Sequence, residues 1–179
     1  MKNRIPAEIV ASVLAATTVL LSLPPVNLPP WAVFVAWAGC FAMGGPTAAN
    51  MKTLWKTMWI GSTYAAIIVL ILNATTAHMS FWGSQWMTMA TIFVLNTGLM
   101  FTGRIKAVSF VPGMFFGFAS YFATVFGGWS WSVHNPYTAW VAVLIMNAIG
   151  PAYAWLNVKL SFPVAEAPRA HPTTLAGDE

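Results

Sequence analysis

SFVPGMFFGFASYFATVFGG, residues 109–128, sets a proline and a glycine side by side inside an otherwise apolar run. In water, Val-Pro-Gly between two apolar runs reads as a turn, because proline has no amide donor and disfavours a helical residue before it. The composition around the stretch points to a different solvent. Of 179 residues, 58% are hydrophobic and 7% charged, with 10 Trp and 12 Phe, whereas an ordinary soluble domain is roughly 25% charged. This composition predicts a membrane protein whose length suits one domain, with no room for a separate soluble catalytic module.

Working outward, six apolar segments are marked at 5–23, 29–44, 53–73, 85–103, 107–127 and 137–158, separated by short loops containing Pro, Gly or polar residues. A spanning helix needs about 20 apolar residues, so the second segment is short and must tilt, thin the bilayer or continue through GGPTAAN. The opening MKNRIPAEIVASVLAATTVLLSL has the charged start of a signal peptide, but no small-residue cleavage site follows Leu23, so a retained first helix is expected.

The basic residues provide a second count. Lys2 and Arg4 precede the first segment, Lys52 and Lys56 lie near the second connection, Arg104 and Lys106 lie at the fourth, and Lys159 and Arg169 follow the sixth. With six crossings all of these fall on one side. The loops PPVNLPP, ATTAHMSFWGS and GWSWSVHNP contain no Lys or Arg, so the positive-inside rule puts both termini in the cytoplasm. Trp31, Trp82, Trp86, Trp129 and Trp131 gather near the uncharged ends, where an aromatic belt is expected.

The fold class expected is therefore all-α, a polytopic membrane protein with six transmembrane helices over residues 1–160. A Pro- and Ala-rich tail over 161–179 is expected to be disordered and cytoplasmic. Two halves of three crossings would be related as an inverted 3+3 repeat. WAVFVAWAGCFAMGG and the opening stretch share Phe-Val, a later Gly and a closing Gly-Gly. The net charge of +4 and pI near 9.5 are spread along the chain without a basic face, so no nucleic-acid partner is expected. A single Cys40 in an apolar segment supplies no disulfide framework and reads as a small packing residue.

Two readings of Pro112 and Gly113 stay open. One is a broken helix lining a solute path, with Ser109 on its cytoplasmic side and freed carbonyls as partners. The other is a packing kink, with Gly113 and Gly117 forming a GxxxG surface. Asn147, Gly150 and Pro151 in NAIGPAYAW repeat the theme in the sixth segment. Asn96 and Asn147, the most polar residues deep in the segments, must face the bundle or a cavity. They could bond each other, bond Thr97, or contact a passing solute.

No Asp, Glu, Lys, Arg or His is expected at mid-membrane depth, since Glu8 falls at a segment end beside Arg4. That absence disfavours ion-coupled transport. His78 and His134 fall on the uncharged loops, as loop residues or a pH gate. His78, Met79, Met87 and Met89 form a soft set of the kind that could hold Cu(I). No nucleophile–base arrangement, phosphate loop or HExxH is present, so neither an enzyme nor a cofactor is expected.

WAGCFAMGG with a following Lys-x-Leu-x-Lys stretch, and above all KAVSFVPGMFFGFASYFA, resemble the YcdZ-type bacterial inner-membrane proteins of domain-of-unknown-function family 1097. The specific part is SFVPGxFxG, carried by Ser109, Phe110, Val111, Pro112, Gly113, Phe115 and Gly117. The resemblance spans about Trp31 to Trp155 and implies a small helical inner-membrane protein. Pro46 and the long tail are not expected features of that family. A looser likeness, in helix number, small size, aromatic richness and scarcity of buried charge but without a matching motif, is to six-helix urea and amide channels and acetate permeases.

The functional expectation is a homo-oligomeric channel or facilitator in the bilayer for a small polar neutral or weakly acidic solute. Asn96, Asn147 and Ser109 would supply hydrogen bonds along its path, and Phe115, Phe116 and Tyr121 constrictions. The alternative is an accessory subunit that docks a partner through its helices or Trp-rich loops.

Overall fold

The computed structural model describes residues 5–161. The tail expected beyond Ser161, with Lys2, Arg4 and Arg169, lies outside the described residues. Among the described residues no strand forms. Six helices follow one another: α1 (Ala7–Ser22), α2 (Pro30–Ala42), α3 (Ala48–Thr75), α4 (Phe81–Thr102), α5 (Val111–Phe126) and α6 (Pro136–Leu160). Two of them, α3 and α6, are long and apolar enough to cross a membrane, while α1, α2 and α5 are shorter apolar helices.

The helix starts follow from capping chemistry rather than from where hydrophobicity begins. The Thr47 hydroxyl accepts from the Asn50 amide, so α3 starts at Ala48 instead of 53 and takes Lys52 and Lys56 into its first turns. The Ser80 hydroxyl accepts from Gly83, which draws Phe81 and Trp82 into α4. Asn135 Oδ1 accepts from the Tyr137 and Thr138 amides and starts α6. These side chains satisfy amides that have no partner within the helix. At the end of α2, Gly44 and Gly45 take φ of +90° and +113°, a conformation suited to glycine, so α2 stops instead of running on through GGPTAAN.

The opening stretch also resolves differently from an interrupted helix. Lys106–Val108 form a separate 3-10 turn, and α5 begins at Val111 with Pro112 in its first turn. There the missing amide costs nothing, because first-turn amides have no partner within the helix. Pro112 starts α5 and does not kink it. Pro151, by contrast, lies inside α6 and the helix continues past it.

Contacts between residues fix the directions. Thr57 of α3 meets Gly113 of α5, Gly61 meets Met114, Ser62 bonds Gly117, and Ala65, Ala66 and Val69 share a core cluster with Tyr121 and Val125, so these helices run the same way. Gly150 meets Val33 and Trp37, and Ala154 shares a core cluster with Trp37 and Cys40, so α2 and α6 also run together. Ser62 pairs with Asn147 and Thr63 with Trp140, which sets α3 against α6. Trp31 reaches Thr124 and Gly39 faces Phe116, which sets α2 against α5. Thr17 meets Tyr153, and Ile5 bridges to Ser161, which sets α1 against α6. Tyr64 meets Gly98 and Thr102 while Ile71 lies beside Met87 and Thr91, which sets α4 against α3. Successive helices therefore alternate in direction throughout.

As a consequence Lys52, Lys56, Arg104, Lys106 and Lys159 share one end of the bundle, and the loops at 23–29, 76–80 and 127–135 share the other. The two main pairs are α3 on α5 and α6 on α2. In addition α3 touches α6, α2 touches α5, α4 lies on α3 and α1 on α6. This pattern is largely unchanged when the first three helices are exchanged with the last three. The exception is α1, which also packs on α2, a contact with no comparable counterpart between α4 and α5.

Candidate functional site: a buried polar seam between α3, α5 and α6

Helices that carry small residues approach closely enough for backbone atoms to face one another. In α3 and α5 the small residues are Gly61, Gly113 and Gly117. An added Cβ at Gly61 would overlap the Met114 carbonyl, one at Gly117 the Met58 carbonyl, and one at Gly113 the Thr57 hydroxyl. This close approach lets Ser62 Oγ of α3 donate to the Gly117 carbonyl of α5 at 3.0 Å. Asn147 Nδ2 of α6 then donates to Ser62 Oγ at 3.3 Å, which closes a three-helix polar contact.

The amide orientation follows from proton bookkeeping. The Gly117 carbonyl can only accept, so the single Ser62 hydroxyl hydrogen goes to it. The Ser62 oxygen therefore accepts from Asn147, and the amide must present Nδ2 to it. Asn147 Oδ1 points elsewhere and has no hydrogen-bond partner, and Asn147 is 0% exposed. Ser120, one turn from Gly117 on α5 and 1% exposed, has an unpartnered Oγ as well. Pro151 removes a helical donor at Asn147. It stands four residues after Asn147 and has no amide to give the Asn147 main-chain carbonyl. Unpartnered buried polar groups are uncommon and costly in folded proteins.

Around the seam the remaining polar groups are matched. Thr124 Oγ1 donates to the Ser120 carbonyl at 2.7 Å and accepts from Trp31 Nε1 at 3.2 Å. Tyr121, fully buried, donates through its hydroxyl to the Pro136 carbonyl at 3.1 Å. Gly150 packs against α2, where an added Cβ would lie 2.7 Å from the Val33 carbonyl.

Of the residues singled out in the sequence, Tyr121, Asn147, Gly150, Pro151 and Gly113 are buried in helix contacts. Phe116 is half-buried against the α2–α3 core, and its neighbour Phe115 points outward, 42% exposed. Ser109 and Pro112 are exposed at the basic end, and Ser109 Oγ donates to the Lys106 carbonyl. Asn96 does not meet Asn147. It lines a hollow of about 300 Å³ on α4 with Thr97, Met100, Phe101 and Arg104. The soft set is spread out as well: His78 and Met79 lie in the loop before α4, Met87 lines a hollow with Ile71, and Met89 is exposed. Positions two apart on a helix do not face each other. Ser62 carries the seam and Ser120 holds the second unpartnered side chain; neither had a sequence signal beyond being a small residue near glycines.

The family model described as protein of unknown function (DUF1097) matches residues 8–161. The chain belongs to the DUF1097 family. No curated protein and no solved structure matches it. The DUF1097 match covers all six helices, the seam included.

Proposed function

We propose that this DUF1097 protein spans a bacterial inner membrane six times with both termini in the cytoplasm. On this reading it facilitates passage of a small uncharged polar solute along the seam between α3, α5 and α6. The observation that carries the reading is Asn147. It is an amide buried near the middle of a membrane-length helix, with Oδ1 unpartnered and the main-chain carbonyl released by Pro151. Hydrocarbon would penalise such groups strongly unless something else uses them.

The arrangement of helices agrees with this. Alternating direction, contacts that survive exchange of the two halves, and basic residues at one end fit an inverted 3+3 repeat under the positive-inside rule. The α2 helix, 13 residues and so about 20 Å long, is shorter than the hydrocarbon core. Its partner α6 runs past it. Asn147 and Ser120 are 0% and 1% exposed, so the arrangement is a closed one. Opening involves α6, where the hydrogen-bond ladder is missing at Pro151. The solute class is that of urea, amides and short carboxylic acids in neutral form.

Stopped-flow shrink–swell on proteoliposomes tests the reading. Faster re-swelling than empty vesicles with at least one of urea, acetamide, glycerol or acetate is expected, and Asn147→Leu should abolish it. Re-swelling no faster than empty vesicles for every solute would remove the conduit.

A second reading, association through α4 as an oligomer or accessory subunit, is favoured by one observation. Helix α4 packs mainly on α3, and Asn96 sits beside an outward hollow on it. An amide there is satisfied by a neighbouring chain. A single-copy mass in mild detergent, with no co-purifying protein, would sink this reading.

A further inference from the structure

We infer that the seam recognises its solute through hydrogen-bond acceptors, and so admits small neutral molecules rich in N–H donors, of the urea and formamide type, while excluding carboxylate anions. This inference rests on the conduit reading above and narrows its solute class.

The open groups decide the chemistry. Because Ser62 gives its hydrogen to the Gly117 carbonyl, Asn147 is held with Nδ2 toward Ser62 and Oδ1 free. A flipped amide would set its oxygen against a Ser62 oxygen with no hydrogen left to give. The second group is the Asn147 main-chain carbonyl, which Pro151 leaves without its helical donor. On one residue, then, Oδ1 has no donor and the main-chain carbonyl lacks its helical one. The third group, Ser120 Oγ, is a hydroxyl that can donate or accept. An amide solute matches this set, giving N–H bonds to the carbonyls and accepting from a hydroxyl. A carboxylate matches less well: it could accept from the Ser120 hydroxyl or the second Asn147 Nδ2 hydrogen, but its lone pairs would face both carbonyl oxygens.

Charge points the same way. The described cations, Lys52, Lys56, Arg104, Lys106 and Lys159, share the basic end and none belongs to the seam. An anion at mid-depth would have no counter-charge in a low-dielectric setting, where an unpaired ion is strongly disfavoured. Recognition by fixed carbonyl dipoles is weak enough to allow release.

The test compares re-swelling of proteoliposomes in urea, formamide and sodium formate at pH 7.5, each against empty vesicles. Formamide and formate are close in size, so size selection alone would pass both. Urea and formamide are expected to exceed the empty-vesicle rate at least tenfold, and formate not at all. Asn147→Leu and, separately, Ser120→Ala should cut the amide rates, with folding checked by size-exclusion profile. Formate passing as fast as formamide would overturn the inference and leave the conduit standing. Amide rates unchanged in both variants would also overturn it, since the path would then lie elsewhere. No rate above empty vesicles for any solute would overturn the conduit and the inference together.

Discussion

Asn147 Nδ2 stands 3.3 Å from Ser62 Oγ, a single side-chain bond that ties the middle of α6 to the middle of α3 inside an apolar bundle. Removing one partner leaves the other stranded, which costs more than removing both. Ser62→Ala is therefore expected to destabilise the protein by roughly 1–3 kcal/mol. In Ser62→Ala/Asn147→Leu the loss should fall short of the sum of the single changes by about 0.6 kcal/mol, the usual coupling of polar contacts between membrane helices. Unfolding titrations in mixed micelles measure the cycle, and strict additivity would show that the two side chains do not interact.

The two prolines should behave oppositely. Pro112 occupies the first turn of α5, where no hydrogen bond is lost, so Pro112→Ala should shift stability by less than about 1 kcal/mol and leave solute flux unchanged. Pro151 lies inside α6, and alanine there restores an amide to the Asn147 carbonyl. A proline in a helix interior is about 3 kcal/mol less favourable than alanine. Pro151→Ala should therefore raise the unfolding midpoint while lowering flux. A flux loss on Pro112→Ala with none on Pro151→Ala would reverse the assignment of the gating element.

Much of the architecture was legible because long apolar runs broken by Pro, Gly and polar residues mark out helices and their connections. The number of apolar segments, their alternation and the gathering of Lys and Arg at one end all follow from residue type alone. Helix starts were not, since Thr47, Ser80 and Asn135 act by bonding specific amides, whereas hydrophobicity marks only where the apolar stretch begins. Pro112 misled for a related reason. Proline breaks a helix or opens one depending on what precedes it, and the 3-10 turn at Lys106–Val108 decides for opening. At the site, Asn147 was visible as a polar residue in an apolar run. Ser62 and Ser120 were not, because a serine beside glycines reads as packing until three separate helices are brought together. Phe115 and Phe116 differ by one helical step, and only the packing of α5 on α2 and α3 shows which turns inward.

The glycines give a graded packing test. At Gly117 an added methyl would overlap the Met58 main chain, which cannot move without shifting α3. Gly117→Ala is thus expected to cost about 1–3 kcal/mol, the usual effect of overpacking a filled interior. At Gly98 the nearest atoms to an added Cβ are Tyr64 ring atoms from 3.4 Å, an ordinary contact. Gly98→Ala should be neutral or slightly stabilising, because alanine is the better helix former. Melting curves in one detergent compare the two, and equal shifts would mean that the α3–α5 approach is looser than described.

Topology can be read independently of charge. Helix directions place Ser109, just before α5, and Ser132, in the loop before α6, at opposite ends of the bundle. Both are exposed, while the native Cys40 is fully buried and can be replaced by alanine to give a clean background. Single cysteines at these two positions should then label differently with a membrane-impermeant maleimide on intact cells. The positive-inside rule assigns the Lys- and Arg-bearing end to the cytoplasm, so Ser132→Cys should react at once and Ser109→Cys only after permeabilisation. The reverse pattern would keep the alternating crossings and overturn the orientation of the termini. Labelling of both positions from the same side would be incompatible with α5 crossing the membrane, and α5 supplies Gly117 and Ser120 to the seam.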